Sequence, residues 1–130
     1  MFLLDTHVWL WWLKGSAALG PRTRARISAA NTVVWVSAAS AWEIAIKVGL
    51  GRLNLGEPPR VCLPREARRS GFRPLTISLE HAAAVTELPA HHRDPFDRLL
   101  VVQAQAEGLT ILTTDPQIVR YDVPTLDASR

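Results

Sequence analysis

Residues 94–115, DPFDRLLVVQAQAEGLTILTTD, decide the fold. Asp94 followed by Pro95 is a helix-start signal, since Pro fits the first turn, where its missing N–H costs nothing. The apolar residues Leu99 to Val102 and Ala104 predict a helix running to Glu107, and Gly108 ends it. Thr110-Ile111-Leu112 follows at once as a short buried strand, and Thr114-Asp115-Pro116 opens another helical turn. A patterned helix feeding straight into an apolar strand is half of a βαβ unit, which implies a parallel sheet.

The same alternation extends outward. Phe2-Leu3-Leu4 reads as a first strand, Thr6 to Leu13 as a short helix ended by Gly15, and Pro21 to about Ala30 as a second helix. The β-branched run Val33-Val34-Trp35-Val36 predicts a second strand. Ser37 or Ser40 then caps a helix that carries Glu43 and Lys47 and stops at Gly49. Gly51 to Pro59 is expected to be a loop, Arg60 to Ser70 a basic helix, Leu75 to Ile77 a strand and Leu79 to Leu88 a helix. Val123 to Leu126, with its proline, suits an edge strand. The expected fold is a three-layer α/β/α domain over residues 1–130, with a short, mostly parallel four- or five-stranded sheet.

Composition narrows the function classes. At 130 residues, 48% hydrophobic and 21% charged, the chain is of ordinary globular make-up. Its lone cysteine, Cys62, excludes an internal disulfide. The longest uncharged run, Ile27 to Trp42, has 16 residues and several polar ones, too short and polar to span a bilayer. Asp5 and the absence of a basic leader argue against a signal peptide, so a soluble cytoplasmic protein is expected. Thirteen Arg against two Lys, with a net charge of +3, permit an oxyanionic partner such as nucleic acid. No zinc-ligand spacing, phosphate-binding glycine loop or nucleophile elbow is present.

The acids carry the chemistry. Asp5 follows the first strand and Asp115 the Ile111-Leu112 strand, and ligands of parallel sheets bind beyond the strands' carboxyl ends. Glu43 and Asp97 lie early in two further helices, so four segments bring acids to one sheet edge. Each acid has a plainer explanation. Asp5, Asp94 and Asp115 can cap helices, Asp97 sits at N3 in a capping-box-like position, and Glu43 can pair with Lys47 at i, i+4. Four such coincidences at one edge favour a site. Carboxylates crowded together repel, and a hard divalent cation such as Mg²⁺ or Mn²⁺ relieves that repulsion.

These residues resemble the PIN-domain ribonucleases, most closely the VapC-type toxins of toxin–antitoxin pairs. Leu3-Leu4-Asp5-Thr6-His7 looks like the first motif of that family, and Ser37 to Lys47, with Glu43, like the second. Asp94 to Ala104 is similar to the third motif, and Leu112-Thr113-Thr114-Asp115 to the fourth. The resemblance implies a Mg²⁺- or Mn²⁺-dependent endoribonuclease with Asp5, Glu43, Asp97 and Asp115 as catalytic and metal-binding acids. Asp94 is left open between ligand, support and helix cap. Thr6 and Thr113 are expected to orient neighbouring carboxylates, and Arg93 and Arg98 to hold the RNA backbone. Arg60, Arg65, Arg68 and Arg69 could assist, and His91 and His92 are read chiefly as polar loop residues. The family likeness also implies a homodimer and a small VapB-type antitoxin as partner. Trp9, Trp11 and Trp12 cannot all face a small core, so one is expected near the surface of the first helix. Two other readings are a catalytically silent binding module of the same fold and a metal-dependent phosphatase. The first predicts missing acids, and the second wants an acid where His7 stands.

Overall fold

The computed structural model describes residues 1–130. Five strands form one sheet: β1 (Phe2–Leu4), β2 (Val34–Ser37), β3 (Arg73–Leu75), β4 (Thr110–Thr113) and β5 (Thr125–Asp127). Their order is β3-β2-β1-β4-β5, and all four pairings are parallel. Seven helices flank it: α1 (Thr6–Lys14), α2 (Pro21–Ser28), α3 (Ala38–Gly49), α4 (Pro59–Arg69), α5 (Leu79–Ala84), α6 (Pro95–Glu107) and α7 (Pro116–Val119).

Three layers follow from the period-2 geometry of the strands. Leu4 and Leu112 pack on one face with Val8, Trp9, Ile44 and Leu63. Their chain neighbours Leu3 and Ile111 pack on the other with Leu100, Val101, Ala104 and Ile118. A strand buried on both faces must be apolar at consecutive positions, which is why these short runs carry no alternation.

Most expected elements are present, with three shifts. The third strand is Arg73–Leu75 instead of Leu75–Ile77, because β2 sets its register: Trp35 pairs with Arg73 and Ser37 with Leu75. Pro74 is tolerated there because β3 is an edge strand. The last strand is Thr125–Asp127, starting after Pro124, whose carbonyl accepts from Ile111 N–H at 2.9 Å. The helix expected over Leu79–Leu88 is helical only to Ala84 and finishes as a 3-10 turn, Val85–Glu87. Gly108, at φ 66°, provides the left-handed residue that turns α6 into β4.

The chain winds from β1 out to β3 and then returns to place β4 against the other side of β1. The place where the winding direction reverses, beyond the strand ends, is where parallel sheets bind their ligands. Asp5 and Asp115 follow the two strands that bound it. No helix is long and apolar enough to cross a membrane.

Candidate active site

Asp5 is only 1% exposed and is held at three points. Its Oδ1 accepts from Thr6 N–H at 2.7 Å, while its Oδ2 accepts from the Thr113 hydroxyl at 2.6 Å and lies 3.2 Å from His7 Nδ1. Burial raises its carboxyl above the ordinary range, although His7 and the two hydrogen bonds pull it back down. The expected support from Thr113 has a direct contact. Thr6 supports Asp5 through its backbone, and its hydroxyl turns away to Ser40 Oγ at 2.9 Å.

Asp97 stands in the first turn of α6, 8% exposed. Burial pushes its carboxyl up to about 9, and the charges of Asp5, Asp94, Glu43 and Asp115 add to the effect. Glu43, 9% exposed on α3, divides its oxygens. Oε2 meets Lys47 Nζ at 3.2 Å, as the i, i+4 spacing anticipated, but Oε1 is buried without any hydrogen-bond donor.

Asp115 divides its oxygens too. Oδ1 caps α7 by accepting from Gln117 N–H at 2.8 Å, and Oδ2 lies 3.1 Å from His92 Nε2. Capping and site roles therefore coexist in one residue. Asp94 is the exception: its Oδ1 takes both Phe96 N–H and Asp97 N–H, at 2.8 and 3.2 Å. This is the cap that Asp-Pro signalled, and Asp94 reaches the site through its charge on Asp97.

The tightest grouping is one that sequence reasoning missed. His92 Nε2 lies 2.9 Å from Asp97 Oδ2 and 3.1 Å from Asp115 Oδ2. The ligand atoms of His92, Asp97 and Asp115 all lie within 4.8 Å of one another. The only signal was a histidine two residues before Asp94, indistinguishable from a polar loop residue until the loop is folded.

That loop is fastened by Arg98. Its guanidinium donates to the carbonyls of Val85 and Pro89, each at 2.9 Å, and to Tyr121 Oη at 3.1 Å. Tyr121 Oη in turn accepts from His92 N–H at 2.9 Å. The two arginines expected to hold RNA thus differ: Arg98 is committed to the fold, whereas Arg93 is exposed. Arg65 is likewise engaged, paired with Glu57 and Glu66. Gln103, fully buried on α6, was also missed; it accepts from Ser37 Oγ and donates to the Thr76 carbonyl at 3.1 Å.

The tryptophans of α1 divide as expected, Trp11 and Trp12 lying nearer the surface than Trp9. Trp9 is buried, and Trp12 is half-buried, donating to Ser70 Oγ at 2.9 Å. Trp11 is half-buried too, its ring 4.9 Å from that of His7. The exposed indole is Trp42 on α3.

Comparison with known proteins agrees with this architecture. A family model described as the PIN domain matches residues 2–124. Ribonuclease VapC16 of Mycobacterium tuberculosis is 43% identical over 61 residues, which are 47% of this chain and 43% of that protein. The match thus spans less than half the length of that relative. VapBC2 from Rickettsia felis, in a crystal structure bound to a DNA fragment from its promoter, superposes with a TM-score of 0.71. Its identity is 16%, and 96% of each chain is covered. DNA-bound VapBC from Salmonella typhimurium also gives 0.71, at 19% identity, over 97% of this chain and 96% of that one. At such identities the likeness speaks to the fold.

Proposed function

The chain belongs to the PIN domain family, and on that premise we propose that it is a Mg²⁺- or Mn²⁺-dependent endoribonuclease. In this reading it is the toxin of a type II toxin–antitoxin pair. It acts in the cytoplasm as a homodimer, and a small VapB-type antitoxin holds it in check. The observation that supports it best is the grouping of His92, Asp97 and Asp115, whose ligand atoms lie within 4.8 Å of one another, where burial and four neighbouring acids raise the Asp97 carboxyl. Such an arrangement is costly unless a cation enters it.

The donor set fits a hard divalent cation. Asp97, Asp115, Asp5 and Glu43 offer carboxylate oxygens, and Glu43 Oε1 is buried with nothing to accept from. His92 adds one imidazole nitrogen between Asp97 and Asp115. A cation bound there supplies Lewis acidity towards water and the phosphodiester and cancels charge that builds during in-line displacement. The protein's own groups fix the geometry in advance. Thr113 and the Thr6 N–H aim Asp5, and His92 spans Asp97 and Asp115. Glu43 Oε1 is a buried acceptor without a donor, and exposed Arg93, next to Asp94 in sequence, is available to a phosphate.

Induced expression in bacteria of the wild type beside Asp5→Asn, with mapping of new RNA 5′ ends, tests the reading. Growth arrest and discrete cuts are expected with the wild type and absent with the variant. Arrest that persists with Asp5→Asn overturns it. If neither protein acts in that host, purified chain with Mn²⁺ on RNA decides the question.

A further inference from the structure

Two helices each carry an aromatic ring one residue before a buried acid of the cleft. Trp42 precedes Glu43 on α3, and Phe96 precedes Asp97 on α6. The two rings meet, with centroids 5.2 Å apart and planes at 82°. While the acids are buried, Trp42 is 59% exposed. The contact with Phe96 braces the indole, and most of its surface remains in water.

We infer that Trp42, braced by Phe96, is a stacking platform for an unpaired base of RNA beside the phosphodiester that lies over the acids. This rests on the nuclease reading above. A helical neighbour is rotated by about 100°, so a base on Trp42 lies around the lip of the cleft from Glu43. A braced indole loses little rotamer freedom on binding, and every base offers it a π-face.

Charge complementarity favours a nucleic-acid occupant. Trp42 also walls a groove of about 600 Å³ between α3 and α4. The groove is mostly apolar, with Val36, Leu63 and Phe72 in its wall; its charged residues are Arg60 and Arg68, both exposed, and no acid lines it. A polyanion approaching a cleft of carboxylates needs positive charge along its path, and these arginines provide it on the Trp42 side. Stacking requires bases free of a duplex, so the substrate class is single-stranded or looped RNA.

The test is direct binding of a short fluorescein-labelled single-stranded RNA, read by anisotropy, to Asp97→Asn protein, which is expected not to cleave. Adding Trp42→Ala should weaken binding about tenfold or more, and Trp42→Phe should recover most of it. An otherwise identical RNA with abasic residues should bind equally well with Trp42 in place and with the Trp42→Ala change. Unchanged affinity on Trp42→Ala overturns the platform, as does an equal loss with abasic RNA. Sedimentation of the same proteins identifies the alternative: loss of an oligomer in Trp42→Ala, with RNA affinity intact, assigns the ring to a protein interface. No RNA binding by Asp97→Asn also overturns the platform. Because binding is read without cleavage, failure of the platform is distinct from failure of the nuclease reading, which the Asp5→Asn comparison decides.

Discussion

Asp97 concentrates the electrostatics of the cleft in one side chain. Its neighbours Asp5, Asp94, Glu43 and Asp115 all resist its ionisation. Replacement by Asn keeps the shape and an acceptor for His92 while removing the charge. Asp97→Asn is therefore expected to stabilise the metal-free chain by on the order of 1–3 kcal/mol near pH 8. The same change should abolish stabilisation by Mn²⁺. Thermal melts of both proteins in EDTA and in Mn²⁺ check this, and a variant less stable in EDTA would contradict it. The acids were legible because strand ends and helix starts are local signals. The way each carboxylate's oxygens are held was not. It depends on partners such as Thr113, 108 residues from Asp5. His92 escaped notice for a related reason: its position is set by Tyr121 and Arg98, far along the chain or on another element.

The element that delivers His92 is the segment between α5 and α6, and Arg98 is its fastening. Removing the guanidinium takes a charged donor from the carbonyls of Val85 and Pro89 and from the Tyr121 hydroxyl, leaving Val85 with Leu88 N–H and Tyr121 with His92 N–H. Arg98→Ala is expected to cost about 2 kcal/mol, since these are hydrogen bonds to a charged donor. Arg98→Lys should recover little of that, because an ammonium cannot fork between Val85 and Pro89. Urea unfolding gives the magnitude. Faster amide exchange over residues 86–93, measured without RNA, separates this fastening from phosphate binding; unchanged exchange would argue for the latter. Elements with strong local signals were the ones readable in advance. α6 has a Pro start, a Gly stop and an apolar stripe, and β1, β2 and β4 are apolar runs buried on both faces. The edges were not so readable. Ile77 is as strand-like as Leu75, and only the pairing of Ser37 with Leu75 fixes where β3 ends. Gln103 interrupts the apolar pattern of α6 because it ties β2 to the Thr76 carbonyl at the end of β3.

At the scale of the whole molecule, the cleft makes stability run against pH in an unusual direction. The unfolded carboxyl of Asp97 titrates near 3.8 and the folded one at about 9. Between those values the folded chain holds a proton that the unfolded chain has released. The unfolding free energy then falls as pH rises, by at most about 1.4 kcal/mol per pH unit for this one group. Asp5 is also raised and acts with the same sign. Glu57 and Asp127 are lowered, so their contribution is lost only as pH falls through the acid range, outside this window. Under the metal-dependent function proposed for the cleft, a divalent cation would bind in competition with the Asp97 proton, so its binding would strengthen with pH and its stabilisation would grow as RT ln(1 + [L]/Kd). The midpoint of thermal unfolding in EDTA should therefore decline from pH 6 to pH 8.5, while in Mn²⁺ it declines less or rises. Subtracting the Asp97→Asn profile removes the contribution of groups that do not touch Asp97. A wild-type minus Asp97→Asn difference that stays flat across that window would mean Asp97 is already ionised at neutral pH. The repulsion that favours a cation would then be absent, and the metal-dependent reading of the cleft would lose its main support.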